Sequence, residues 1–378
     1  MTTYEECRRL RLNDLRLEEL DVSLDAVSNI LELAEALHNN TTVKSVRAHV
    51  HDSFAGRTPS EVLLFFEALG SRPQLKQLFF GPYRYPQQAR LNCQALSLSL
   101  IQASQLTALE LCGIELSGSL SDFHTLGASL QSHPSLQEFR LHDCQIEEEL
   151  HQNNSNALDP LLKSLSTIQT IERVTLNSKI KGSLGNIGDS ALENLCSCPN
   201  LKAIGLQGFE IVGKHFSSAI RGLSSTVSIQ EICIGTCKLG STGDLALSQI
   251  LRSNASLEYF DLQLEEGESP IQVSLALADN TALKHFFIHG KISLDSQKAF
   301  ATAIQSNHIL ETLELMDGST QTCTIKFFLR MNELRRGLLL EQKQCSKEEW
   351  MDVLVSQSED LSAIFYLISI NPMICCVG

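Results

Sequence analysis

Tryptophan is nearly absent from this sequence: one in 378 residues, at Trp350, and proline appears only nine times. So little proline excludes a collagen and a Pro-rich linker chain. Basic residues are also few, 30 Lys and Arg against 44 Asp and Glu, for a net charge of −14. That balance lacks the positive patch with which a typical nucleic-acid binder meets phosphate, so nucleic acid is not expected as a partner. Long apolar runs are missing too. The most apolar stretch, 361–377, is interrupted by Asn371-Pro372 and falls short of the roughly 20 residues a span needs, so no membrane is expected. The opening MTTYEECRRLRL has no basic segment followed by an apolar run, and it carries Glu5 and Glu6, so neither an export signal nor a transit peptide is expected. The expected location is the cytoplasm, with the nucleus as the alternative. Cysteine is not scarce, at 12, but Cys196-x-Cys198 and Cys233…Cys237 lack the further pairs of a structural zinc site. These thiols are expected reduced and mostly buried. Asn39, Asn40, Asn153 and Asn254 begin Asn-x-Ser/Thr triplets that are then not glycosylated.

What is abundant is leucine, 61 residues or about one in six. Much of it falls in a pattern, apolar-x-x-apolar-x-apolar. Clear copies begin at Leu106, Leu136, Leu201, Ile229, Leu257, Leu283 and Leu310, with weaker ones at Val43, Leu75 and Ile171 and a first one at Cys7/Leu10/Leu12. The eleven copies advance by 26 to 36 residues. Each reads as a short strand whose fourth and sixth positions point into a core while the third, fifth and seventh point out. Between copies the period becomes helical: Ile30/Leu33/Leu37, Phe65/Phe66/Leu69 and Leu247/Ile250/Leu251 each make an apolar stripe. One strand and one helix per repeat cannot bury their own apolar faces, so neighbours must stack.

These residues resemble the ribonuclease-inhibitor-like class of leucine-rich repeats, over about residues 4–320. The resemblance implies an α/β leucine-rich-repeat solenoid, a horseshoe of about eleven strand–helix repeats. It also implies that Cys144 and Cys237, at the ninth position, bond the neighbouring turn from inside. Asn40, Asn254, Asn280 and Asn307, three residues before a copy begins, match the residue at which that class leaves its helix. Leu15, Ile114 and Phe209 are apolar at the ninth position and Lys179, Glu265 and Lys291 are charged, so irregular turns are expected there. Residues 1–320 form the expected solenoid and 321–378 a helical C-terminal cap over its edge strand. The cap has a capping box at Ser346/Glu349 and an apolar stripe of Trp350, Val353, Leu354, Leu361, Ile364, Phe365 and Ile368. Its Trp350…Asn371-Pro372 layout also looks like the tails of leucine-rich-repeat proteins in microalgae.

In this class partners dock on the strand face. The outward positions would hold Arg9, Arg11, Arg47, His49 and Phe79, then Glu138, Arg140, His142 and Arg173, then Glu231, Tyr259, Asp261, His285, Phe287, His289 and Glu314. The sign would drift from basic to acidic and steer a partner of opposite drift. Arg47, Phe79, Arg140, Arg173, Tyr259, Asp261, His285, Phe287 and His289 are the candidate protein-binding residues, with the last five as the hot spot. No cofactor or metal is expected. His285 and His289 lie four residues apart on a strand, roughly 13 Å, too far for one zinc. His49-x-His51-Asp52 is tighter but lacks further ligands. Gly182, Gly185 and Gly188 read as loop glycines, since no Lys-Ser/Thr follows. No Gly-x-Ser-x-Gly or His-Glu-x-x-His is present, and no catalytic residue is assigned. The segment around Glu147–Asn156 reads as a solvated loop, and Cys375-Cys376-Val377-Gly378 as an ordinary end rather than a prenylation box. The expected function is non-catalytic recognition of a protein by a monomer. The alternatives are activation of a GTPase by an exposed arginine, as in nuclear-transport activators of this repeat class, or a sensor whose cap regulates binding.

Overall fold

The computed structural model describes residues 4–23, 30–49, 59–81, 89–100, 103, 105–147, 156–178, 184, 187–207, 209, 211–223, 228–316, 323–333, 355 and 361–370. They divide into two compact units, Met1–Lys238 and Leu239–Gly378.

The first unit carries β1 (Glu19–Ser23), β2 (Ser45–His49), β3 (Gln77–Gly81), β4 (Ala89–Asn92), β5 (Ala108–Cys112), β6 (Ile114–Ser117), β7 (Glu138–His142), β8 (Gln145–Ile146), β9 (Arg173–Asn177), β10 (Ala203–Leu206), β11 (Ile211–Val212) and β12 (Glu231–Lys238). Eight of them, β1-β2-β3-β5-β7-β9-β10-β12, follow chain order in a parallel sheet. A helix follows in each repeat, as at Ile30–Asn39 and Leu120–Gln131. The strand register is the one the pattern predicts. In β2, Val46 and Ala48 are fully buried while Arg47 faces solvent; in β7, Phe139 and Leu141 are buried beneath Arg140. Burial of a Val, Leu or Phe side chain of this kind contributes about 1.5–3 kcal/mol, and of an Ala less.

The second unit repeats the plan with β13 (Tyr259–Leu264), β14 (His285–His289) and β15 (Thr312–Met316), in parallel. Phe260 and Phe286 stack at 5.3 Å beneath the sheet, with Phe300 edge-on to Phe286 at 6.0 Å. Among the described residues the two units hold eleven repeat strands, and the fold is the α/β leucine-rich-repeat solenoid. Helices Cys323–Glu333 and Leu361–Ile370 close the second unit as its cap. Tyr366 sets its ring edge-on against Phe327 at 5.5 Å and Phe328 at 5.8 Å. Phe365, expected on the apolar stripe, is instead 74% exposed, and Leu367 is the buried residue. Ser346, Glu349, Trp350, Val353 and Leu354 lie outside the described residues, as do His51, Asp52, Lys179, Gly182, Gly185 and the four C-terminal residues. No described helix is long and apolar enough to cross a membrane.

Two expectations are corrected. Cys7/Leu10/Leu12 is not a strand but part of a helix and its exit, Tyr4–Arg11 followed by a turn. Cys7 and Leu10 are three apart, a spacing that also fits one helical face, and Arg8, Arg9 and Arg11 sit in the last turn, where the helix dipole favours cations. The first copy is Leu17/Leu20/Val22, which is buried and leads through β1. Leu15 is thus no ninth-position residue and is 82% exposed. Nor is Ile114 an irregularity: it opens β6, the middle strand of a second small parallel sheet, β4-β6-β8. At Lys291 the turn is made by the preceding Gly290, whose φ of +113° and approach to the Leu264 carbonyl leave no room for a Cβ.

The slot three residues before each copy forms a ladder of side chains tying one turn to the last. In the second unit asparagine fills it throughout. Asn280 Nδ2 donates to the Leu251 carbonyl at 2.6 Å, while its Oδ1 accepts the Ala282 and Leu283 N–H groups at 3.0 and 2.7 Å. Asn307 does the same with Leu277, Asn280, Ile309 and Leu310, and Asn254 accepts from Ser256 and Leu257. Asn332, in the first cap helix, donates to the Asn307 and Leu310 carbonyls at 3.0 and 2.7 Å, adding one more rung. In the first unit the described slots hold Asp14, Asn40, Arg72, Ala103, His133, Ile168 and Cys198. Asn40 donates to the Leu10 carbonyl at 2.9 Å. Arg72, 1% exposed, donates to the Leu37 carbonyl, Asn40 Oδ1 and the Val43 carbonyl at 2.6, 3.0 and 3.1 Å, and desolvation lowers its pKa to about 10. The Cys198 thiol reaches the Ser166 carbonyl at 3.4 Å. His133 lies against the Leu100 and Ala103 carbonyls, outside hydrogen-bonding geometry; burial lowers its pKa and those carbonyls oppose the shift. Cys144 behaves as the resemblance implies, buried and donating to the Leu111 carbonyl at 3.4 Å. Cys237 is buried at its ninth position as well.

Helices are also capped across repeats. Asp244, in helix Gly240–Ser253, accepts the Gln272 and Val273 N–H groups at 2.8 and 2.9 Å, at the start of helix Ile271–Asp279. Asp159 accepts the Gly188 N–H at 2.9 Å, at the start of helix Asp189–Cys196. In both cases the preceding residue, Pro270 or Gly188, has no side chain able to cap.

Candidate functional site

Pleating sends alternate residues of each strand to the open side of the sheet, and parallel register lines them up in rows. In the first unit one row runs Asp21, Arg47, Phe79, Glu110, Arg140, Thr175. A hollow of about 530 Å³ lies over it, bordered by Asp21, Arg47, His49, Phe79, Glu110 and Arg140. Most of its charges are already paired. His49 Nε2 lies 3.0 Å from Asp21, and Arg140 lies 2.6 Å from Glu138 and 3.9 Å from Glu110. His142 reaches Glu110 at 3.9 Å, so both partners hold that carboxylate loosely. Phe79 packs its ring on His49 at 5.4 Å. Arg47 is exposed and has no ion-pair partner among the described residues.

Arg173 is differently placed. It reaches past β10 to Glu231 on β12 at 2.7 Å. Ala203 stands in register with both and is 3% exposed, so the ion pair arches over it. A larger residue at 203 would block that reach.

The second unit brings together the five late candidates. Tyr259 and Phe287 hold their rings 5.2 Å apart, and Tyr259 neighbours His285 at 6.4 Å. His289 Nε2 lies 3.0 Å from Asp261, and His285 Nδ1 lies 3.2 Å from the Thr312 hydroxyl. Burial raises the Asp261 pKa, and the His289 contact works against that rise. The Asp261–His289 pair has the same diagonal form as Asp21–His49 and Glu110–His142: an acid at position five, a histidine at position seven of the next strand. Among the described residues no group of three or more His, Cys, Asp or Glu could hold a metal ion.

The expected drift from basic to acidic is corrected by this geometry. Arg9 and Arg11 belong to the first helix, where they pair with Asp14 and Glu32 at 2.8 and 2.9 Å, not to the sheet. The first outward positions are Glu19 and Asp21, and Arg140 and Arg173 are neutralised by glutamates. Asp21 and Glu110 belong to the hollow and were missed as candidates. Misphasing of the first copy hid Asp21, whereas Glu110 was readable at position five of its copy.

No family model matches this chain, and no curated protein does either. Solved structures do match. One of leiomodin-1 actin-binding site 2 is 16% identical over 52% of this chain and 87% of its own, with a TM-score of 0.28. The TLR13–ssRNA13 complex is 18% identical over 80% of this chain, which spans 36% of that one, with a TM-score of 0.48. An internalin, InlF, from Listeria monocytogenes is 12% identical over 84% of this chain and 86% of its own, with a TM-score of 0.45. Likenesses of this size concern the fold alone. The expectation that nucleic acid is no partner is withdrawn, since one matched structure is a complex with ssRNA13.

Proposed function

We propose that this chain is a non-catalytic recognition protein that binds a protein partner on its open strand faces. The observation that carries the reading is the first-unit hollow. Its charges are held by ion pairs along and across the strands, and among the described residues Arg47, beside Phe79, has no ion-pair partner. Side chains held by a rigid sheet lose little freedom on docking, so less of the contact energy is spent on ordering. The aromatic patch of Tyr259 and Phe287, with Asp261, His285 and His289, is a second contact region. A helix after each repeat strand and the inward cysteines at 144 and 237 favour the ribonuclease-inhibitor-like class. Residues 1–320 then act as the repeat body and 321–378 as its cap. The cysteines among the described residues form no disulfide with one another, which suits a reducing compartment such as the cytoplasm.

Affinity capture with mass spectrometry tests this reading. A protein captured by the wild type should be lost from an Arg47→Glu/Phe79→Ala variant or from a Tyr259→Ala/Phe287→Ala variant with an unchanged melting curve. Equal capture by both variants discards it. A second reading, GTPase activation by an arginine, is favoured at Arg47 among the three candidate arginines of the strand face, because Arg140 and Arg173 are engaged. No acceleration across a GTPase panel removes it. The sensor reading is tested by deleting residues 321–378, where increased capture supports a regulatory cap.

A further inference from the structure

Arg47, Phe79 and Glu110 stand in register on β2, β3 and β5, so the hollow presents a cation, a ring and a carboxylate on successive strands. Adjacent strands are about 4.8 Å apart, which puts the outer two roughly 9.6 Å from each other. An α-helix rises about 5.4 Å per turn. A helix laid across these strands therefore offers one side chain per turn to one strand after another, nearly in step. An extended chain does not: its same-face residues recur every roughly 6.6 Å and fall out of step by the third strand.

From this match we infer that the first-unit hollow takes an amphipathic α-helix of a partner protein. The helix lies across β2, β3 and β5 and carries an acidic, an apolar and a basic residue at i, i+4 and i+7. The acid pairs with Arg47, which has no ion-pair partner among the described residues. The apolar residue covers Phe79. The base completes Glu110, whose two partners stand off at 3.9 Å. Beyond these strands the row is closed: Asp21 is engaged by His49 on one side and Arg140 by Glu138 on the other. The site thus has a defined length of about two helical turns. This inference rests on the reading of the open strand face as a protein-binding surface.

The test uses the full chain as bait for a phage library of a three-helix scaffold with one helix face randomised. Enriched clones should carry Asp or Glu, an apolar residue, and Lys or Arg at i, i+3 or i+4, and i+7. Their binding should fall at least tenfold on Arg47→Glu and on Glu110→Lys, each with an unchanged melting midpoint. Changing the clone's acid to Lys should restore binding to the Arg47→Glu protein. Enrichment without this pattern, or equal binding to both variants, overturns the inference. So does a single-stranded oligouridylate that binds the wild type and is released by Arg47→Glu. If cellular capture still depends on Arg47 and Phe79 while no helix of this pattern is selected, only the helix is overturned and the recognition reading stands. If capture ignores both residues, the recognition reading fails first.

Discussion

The two units solve the same problem with different chemistry. Every turn of a strand–helix repeat leaves carbonyls facing the next turn, and a buried carbonyl without a donor costs about 1–3 kcal/mol. The second unit answers with asparagine at each slot, an amide that donates backwards and accepts forwards at once. The first unit uses whatever reaches. Arg72 spans the gap with two guanidinium nitrogens, Cys198 with a thiol, His133 with a ring that falls short, and Ala103 and Ile168 with nothing that can donate. Repeat length follows the same division. Copies in the second unit start 26 and 27 residues apart, whereas most in the first start 28 to 35 apart. A uniform rung goes with a uniform repeat, because an amide reaches only one distance. Longer and variable turns call for longer or softer donors.

The largest break in this comparison should come from Arg72→Met. It strands the Val43 carbonyl, takes one of two donors from the Leu37 carbonyl and deprives Asn40 of a partner, and should cost about 3 kcal/mol in chemical unfolding. Arg72→Asn should cost less, because the amide restores part of the rung. Asn307→Ala should cost about 2–3 kcal/mol on the same measurement, from two lost donations and two lost acceptances. Equal stability of Asn307→Ala and wild type would remove the ladder as an energetic feature. Asp244→Ala, which uncaps helix Ile271–Asp279, should cost about 1–2 kcal/mol, with amide hydrogen exchange rising at Gln272 and Val273. In the other direction, His133→Asn should stabilise by about 1 kcal/mol, since an amide can donate where the imidazole does not. A lower melting midpoint would show that the ring is there for its packing. The smallest change is expected in thiol chemistry. Burial pushes Cys198 up to about 11 and Cys144 up to about 12. Both should resist iodoacetamide at pH 8 in the native protein, while the half-buried Cys112 and Cys233 react.

The repeat fold was legible because burial alternates with period two in most repeat strands, and that alternation is written in residues such as Val46/Ala48 and Phe286/Ile288. The first strand was misplaced because Cys7, Leu10 and Leu12 fit the pattern as well as Leu17, Leu20 and Val22 do. Only packing separates them, since Leu12 is 67% exposed and Leu20 1%. The small second sheet escaped notice although Ile114/Leu116 and Cys144/Ile146 alternate, because a few residues carry too little period to read. Of the site, the outward set from β2 onward was legible by counting. Which of those charges are already satisfied was not, because Arg173 and Glu231 are 58 residues apart and meet only across an intervening strand.

That arch over Ala203 bears on how the first unit comes apart. Stacked repeats usually interact only with their immediate neighbours, so they can fray one at a time from an end. A bond between β9 and β12 that skips the strand between them couples three repeats together. Because the pair is about a third exposed, it adds at most about 1 kcal/mol of coupling, making these repeats a slightly more cooperative block in an otherwise stepwise array. In single-molecule pulling, rips that take these three repeats together should be more frequent in the wild type than in Arg173→Ala.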